Sequence, residues 1–131
     1  MERETFGKRL HEHGGTQEMI ADSLSDLEAA RLLTLSCAAA MDAVGAKHAR
    51  SSIASIKVTV PQLTYQVVDR AVQVHGGAGV VVDFLARALV GLRTLRIADG
   101  PDAVHKRSVA RMEIRKAKEM MKRRNGAHSR L

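Results

Sequence analysis

Two short stretches of this 131-residue chain hold residue types that could do chemistry: "QVHGGAGV" at 73–80 and "ADGPDAVH" at 98–105. In the first, glycines at 76, 77 and 79 could let a backbone approach a phosphate, and Gln73 and His75 lie within side-chain reach of such a ligand. A dinucleotide-binding loop, however, needs a preceding strand and G-x-G-x-x-G spacing, and this stretch has neither. Its local reading is a helix stop in which Gly76 or Gly77 takes positive φ. In the second stretch Asp99 is a lone carboxylate followed by Gly100 and Pro101. Aspartate is a favoured helix N-cap, and a single carboxylate in a turn is more often a cap than a catalyst.

The remaining reactive side chains form no constellation. His11 and His13 are two apart, which suits neither one helix face nor a zinc spacing. None of the six histidines pairs with another or with Cys37 in ligand spacing, so no metal is expected. Cys37, inside "LSCAAAM", reads as a buried small hydrophobe. A single cysteine rules out an internal disulfide and fits a reducing compartment. Ten of the 21 Lys and Arg fall between Lys106 and Arg130, a basic segment read as a solvated face. Phe6, Tyr65 and Phe84 are scattered and offer no stacking platform for single-stranded nucleic acid.

These residues must be held by helices. Apolar residues make up 45% of the chain but aromatics only 2%, which favours packed helices over a sandwich or barrel. After the Gly14-Gly15 break, Thr16 is the expected cap of a helix running to Val44, stopped by Gly45. Its "LLTLSCAAAMDAV" segment is apolar almost all round, as for a helix buried between neighbours. In the second helix Ile53, Ile56, Val60, Leu63, Val67, Ala71 and Val74 make one stripe. That stripe keeps its phase across Pro61, so a kink rather than a break is expected there. Phe84, Leu85, Ala88, Leu89, Leu92 and Leu95 mark a shorter third helix. Gly100 ends the link after it, Pro101 suits the first turn of the fourth helix, and that helix should fray toward its end. The expectation is one domain, all-α, an antiparallel four-helix bundle of two long and two shorter helices. No segment reaches the length of a membrane span and no signal peptide opens the chain, so an intracellular soluble domain is expected. The net charge of +7 points to anionic partners.

Taken in order, "ERETFGKRLHEH", two long helices, "QVHGGAGV" and "LRIADGPDAVH" resemble the C-terminal helical domain of acyl-CoA dehydrogenases. The resemblance runs from Arg3 to about Met121, closest to the branch with Ala-Asp-Gly-Pro-Asp where Glu-Gly-Thr is commoner. It implies a flavoprotein oxidoreductase of the fatty acid β-oxidation type, with FAD between domains and subunits. The Arg-x-x-Phe-Gly motif, here Arg3, Thr5, Phe6 and Gly7, would contact a neighbouring subunit's FAD, with His13 at a further contact position. Gln-x-x-Gly-Gly maps to Gln73, Gly76 and Gly77, against that same cofactor. The catalytic carboxylate falls on Asp99, which would take the α-proton of an acyl-CoA thioester while the β-hydrogen leaves as hydride to the flavin. The backbone N–H of the base would bond the thioester carbonyl, so Asp99 and Gly100 are also the substrate-binding residues.

The departures are Pro101 for the usual Thr, and Val90 and Gly91 for the usual Arg-Asp pair. The family's N-terminal helical and middle β domains are absent, so about 250 or more residues are expected upstream. Met1 then marks a fragment boundary, a short isoform or an alternative start, and the chain alone should bind FAD weakly or not at all and be inactive. The implied partners are acyl-CoA, the FAD-binding domains, an electron-accepting flavoprotein or other oxidant, and further copies forming a dimer or dimer of dimers. Two other readings stay open: a non-enzymatic self-association module, and a nucleic-acid binder using the basic final helix. Neither acyl chain length nor organelle is legible.

Overall fold

The protein is described by a computed structural model over residues 3–81 and 83–128. It opens with a small antiparallel hairpin, β1 (Glu4–Thr5) and β2 (Lys8–Arg9), in which Thr5 faces Lys8. Phe6 and Gly7 form its two-residue loop, both at positive φ (52° and 76°), as a hairpin turn matching the right-handed strand twist requires. A single 3-10 turn (Leu10–Glu12) leads into helix α1 (Gly14–Val44). The helix begins two residues before the expected cap. His13 is the N-cap, and its carbonyl accepts from the N–H groups of Thr16 (3.0 Å) and Gln17 (3.1 Å). Thr16 therefore lies inside the first turn, and the two glycines start the helix instead of interrupting it. Gly45, at φ 76°, ends it as expected.

Helix α2 (Arg50–His75) runs without interruption through Pro61, which is buried. Proline lacks an N–H to give the carbonyl four residues back, which here is that of Lys57. Gly76 closes α2 at φ 61°. The chain then makes the five-residue helix α3 (Gly77–Val81), which the glycine-rich sequence did not announce. Gly79 explains why a glycine belongs there: a Cβ on it would lie 2.5 Å from the Val72 carbonyl oxygen. Helix α4 spans Asp83–Leu95 and helix α5 Asp102–His128, so three of the four main helices are long, not two. Pro101 sits just outside α5, its carbonyl accepting from Val104 (2.9 Å) and His105 (3.4 Å).

The all-α bundle expected from sequence is present, and it is organised around α2, on which α1, α4 and α5 each pack. Asp26 of α1 and Arg70 of α2 add a largely buried ion pair at 2.7 Å. The all-round apolar segment of α1 is not buried between neighbours. Among the described residues of α1 only Ala30 and Cys37 are buried, while Leu24 and Leu32 are each 62% exposed. The main packing of α1 is one face against α2, with the 3-10 turn against it as well. The accessible surface is 9722 Å², against about 6,800 Å² for a folded monomer of this mass. The excess of roughly 2,900 Å² is what a substantial protein interface would cover.

Candidate active site

The residues singled out in the sequence gather at two separate places. At the C-terminal end of α2, the hairpin folds back so that Arg3 Nη1 donates to the His75 carbonyl (3.3 Å). A Cβ at Gly76 would stand 3.2 Å from that same Nη1, so glycine lets the guanidinium lie on the helix end. His13 braces the hairpin: its Nε2–H is shared between the carbonyl (3.0 Å) and the hydroxyl oxygen (3.3 Å) of Thr5. Arg3, His13, Gln73 and Gly76 line one cleft of ≈ 340 Å³. Gly77 has open space where a Cβ would be. Phe6 stands apart at the hairpin tip, 99% exposed, its ring touching none of this. The His75 ring turns back onto its own helix, Nδ1–H donating to the Ala71 carbonyl at 2.7 Å.

Asp99 and Gly100 lie in the α4–α5 link, beside the N-terminal half of α2. Asp99 takes φ 54°, a left-handed conformation that Asp and Asn tolerate better than other side chains. Gly100, at φ 104°, leaves room for a ring: a Cβ there would meet His105 Nε2 at 2.9 Å. That Nε2–H donates to the Asp99 carbonyl at 3.2 Å. Arg96 and Asp102 close the link with an ion pair at 2.8 Å, and the Asp102 N–H donates to the Arg96 carbonyl (3.3 Å). Lys57 of α2 reaches across, Nζ donating to the carbonyls of Leu95 and of Ala98, the latter at 2.7 Å. Within this framework the Asp99 carboxylate and N–H make no hydrogen bond to another described residue. Asp99, Lys57 and His105 line a cleft of ≈ 430 Å³ whose other walls are Thr34, Ile53, Ile56 and Val60.

The two clefts share no residue. Lys57 and Gln73 are sixteen residues apart on α2, or roughly 24 Å along its axis at the usual helical rise. One chain thus presents two separate clefts along α2, one toward each half of the helix. Sequence reading had passed over Lys57, His105 and the Arg96–Asp102 pair. The signal for Lys57 was there: it is a cation within the apolar stripe, one turn after Ile53 and one before Pro61. Among the described residues no group of three or more His, Cys, Asp or Glu is placed to hold a metal. Nor is any helix long and apolar enough to cross a membrane.

Comparison with known proteins agrees with the fold. The family model "Acyl-CoA dehydrogenase, C-terminal domain" matches residues 1–114. The rat protein "Acyl-CoA dehydrogenase family member 11" is 46% identical over 125 residues, which is 95% of this chain and 16% of the rat protein. The mouse "Acyl-CoA dehydrogenase family member 10" is 46% identical over 121 residues, 92% of this chain and 11% of the relative. A solved acyl-CoA dehydrogenase chain from Mycobacterium abscessus superposes with a TM-score of 0.85 at 47% identity, covering 88% of this chain and 29% of that one. The chain therefore spans less than a third of each of these relatives. With the fold, the order of its motifs and these matches in agreement, the chain belongs to the acyl-CoA dehydrogenase family, as its C-terminal domain.

Proposed function

We propose that this domain supplies the base and part of the cofactor site for the α,β-dehydrogenation of acyl-CoA thioesters by a flavin-dependent enzyme. The observation that carries the reading is the Asp99 link. Asp99 lines a cleft walled in part by Ile53, Ile56 and Val60, while the carbonyls of Ala98 and Asp99 accept from Lys57 and His105. A base must be within hydrogen-bond reach of the proton it takes, and here the carboxylate is left unpaired for that purpose. Asp99 removes the α-proton onto its carboxylate, and its own N–H donates to the thioester carbonyl as charge builds there. His105 and the Arg96–Asp102 pair hold the link so that both groups keep their places during the transfer.

The residues at the other end of α2 fit a phosphate-bearing cofactor such as FAD. Arg3 spends one bond on a carbonyl and keeps further donors of its planar fork, the geometry that phosphate oxygens take bidentately. Beside it, His11 Nδ1 is buried without a partner among the described residues, an atom that a ligand in the adjoining cleft would satisfy. Gly76 and Gly77 would let the cofactor approach the backbone, with Thr5, His13 and Gln73 around it. FAD, when bound, supplies the hydride acceptor for the β-hydrogen. Because the two half-sites stand roughly 24 Å apart on α2, one copy serves two cofactors, its own through Asp99 and a neighbour's through the hairpin and α2 end. Flavin-binding domains and further copies would cover the bare apolar surface, and an electron-accepting flavoprotein or other oxidant would reoxidise the flavin.

The test uses Asp99→Asn in the holoenzyme that carries this domain. Asparagine accepts the same left-handed backbone but cannot take a proton. Flavin bleaching by acyl-CoA should disappear while FAD content stays at the wild-type level. Bleaching at the normal rate in this variant would remove Asp99 from the reaction.

A further inference from the structure

We infer that Lys57 is a positioning residue for the Asp99 peptide, acting from α2 across the gap to the α4–α5 link. The inference rests on the reading of Asp99 as the base. Its ground is geometric. Helix α4 ends at Leu95, and the last carbonyls of a helix lack intrahelical donors. Lys57 Nζ takes two carbonyls of this region, those of Leu95 and Ala98, from another helix altogether. A cation at a helix C-terminus is also favoured by the helix dipole. Lys57 is set among Ile53, Ile56 and Val60 in the cleft wall, so its stem lies on apolar surface and its charged tip is delivered to the link.

The consequence follows from peptide planarity. The described backbone has no cis bond, so in the Ala98–Asp99 unit the C=O and N–H point in opposite directions. By holding the Ala98 oxygen, Lys57 turns the Asp99 N–H away from itself. His105 holds the next carbonyl, that of Asp99, from the α5 side. With the peptide's own oxygen and the next one both held, the peptide is kept from flipping, and the Asp99 N–H keeps one direction. No group on Lys57 needs to touch the substrate. It acts through the peptide that does.

Two measurements test this. In the 131-residue chain, amide exchange should report the link through the N–H groups of Ile97, Ala98 and Asp102, which bond to the carbonyls of Thr94, Thr94 and Arg96. Lys57→Met should speed their exchange at least about tenfold while α1 amides, which report the global fold, stay unchanged. In the holoenzyme, Lys57→Met should lower kcat by about 10- to 100-fold with KM within about threefold. That is at or below the loss for removing one oxyanion donor outright, since the N–H remains but is no longer held. Lys57→Arg, which keeps a cation with donors, should recover most of both. Unchanged exchange in Lys57→Met, or a kcat equal to wild type, would overturn the inference, as would equal loss in the Arg and Met variants. Should Asp99→Asn keep its activity, the failure belongs to the base assignment; a normal kcat in Lys57→Met beside a dead Asp99→Asn refutes only the role of Lys57.

Discussion

Asp99, Gly79 and Gly91 show how far a single residue's backbone decides its use. At φ 54° Asp99 occupies the left-handed region, which Asp and Asn enter more readily than most other residues with a side chain. Aspartate in place of the commoner glutamate thus suits the link as it is folded here. The two glycines make opposite predictions for the same change. Gly79→Ala would drive a methyl to 2.5 Å from the Val72 carbonyl oxygen, so α3 must shift; the expected loss is about 1–3 kcal/mol. Gly91 lies inside α4 with nothing within 4 Å of the place a Cβ would take, and Gly91→Ala should stabilise by about 0.5–1 kcal/mol. Urea melts of both variants read the sign directly. Equal effects in the two would show that α3 does not pack on α2 as described.

Among the helices, the polar links that join α1 and α5 to α2 can be probed one at a time. Arg70 and Asp26 are each about three-quarters buried at 2.7 Å separation. A double-mutant cycle through Arg70→Ala and Asp26→Ala should return a coupling of about 1 kcal/mol, the upper end for exposed pairs. A coupling of zero would mean that apolar contact alone joins α1 to α2. On α5, Glu113 accepts from Lys116 (2.7 Å) and, across to α2, from Ser51 (3.3 Å). These bonds, that to Lys116 foremost, lower its pKa below the ordinary glutamate value. A depressed pKa in the folded state means that its contribution is present above the unfolded value and lost as pH falls through the folded one. Glu113→Gln should therefore be less stable than wild type at neutral pH and equal to it in acid. A difference that persists after acidification would assign the effect to packing.

At the scale of the whole molecule the governing fact is the uncovered apolar surface. Large apolar side chains stand exposed on the bundle surface, Leu24, Leu32 and Leu35 of α1 among them. Sedimentation velocity of the chain alone should show concentration-dependent association. Replacing the exposed Leu24, Leu32 and Leu35 together by glutamine should return a monomer. A wild-type chain that stays monomeric at high concentration would show that the face is tolerated bare. The absence of neighbours also accounts for a misreading. An all-round apolar "LLTLSCAAAMDAV" implies burial on every side, whereas within the single chain α2 covers one side of it.

The helices themselves were legible because periodicity and breakers act locally: the Ile53-to-Val74 stripe, Gly45 and Gly76 at positive φ, and the Asp-Gly-Pro link all fall where spacing put them. The family motifs were legible for a similar reason, since each is contiguous in the chain. Helix starts were less so, because His13 caps α1 through its carbonyl, with no side-chain cap bond of the kind that marks a start in sequence. The five-residue α3 was hidden as well, its glycine serving a contact with α2 that no local rule records. What tertiary structure alone decided is the pairing of distant residues: Arg3 with the end of α2, and Lys57 with carbonyls about forty positions away. Those bonds depend on where two helix ends meet in space, which is set by packing on α2 and has no period in the sequence.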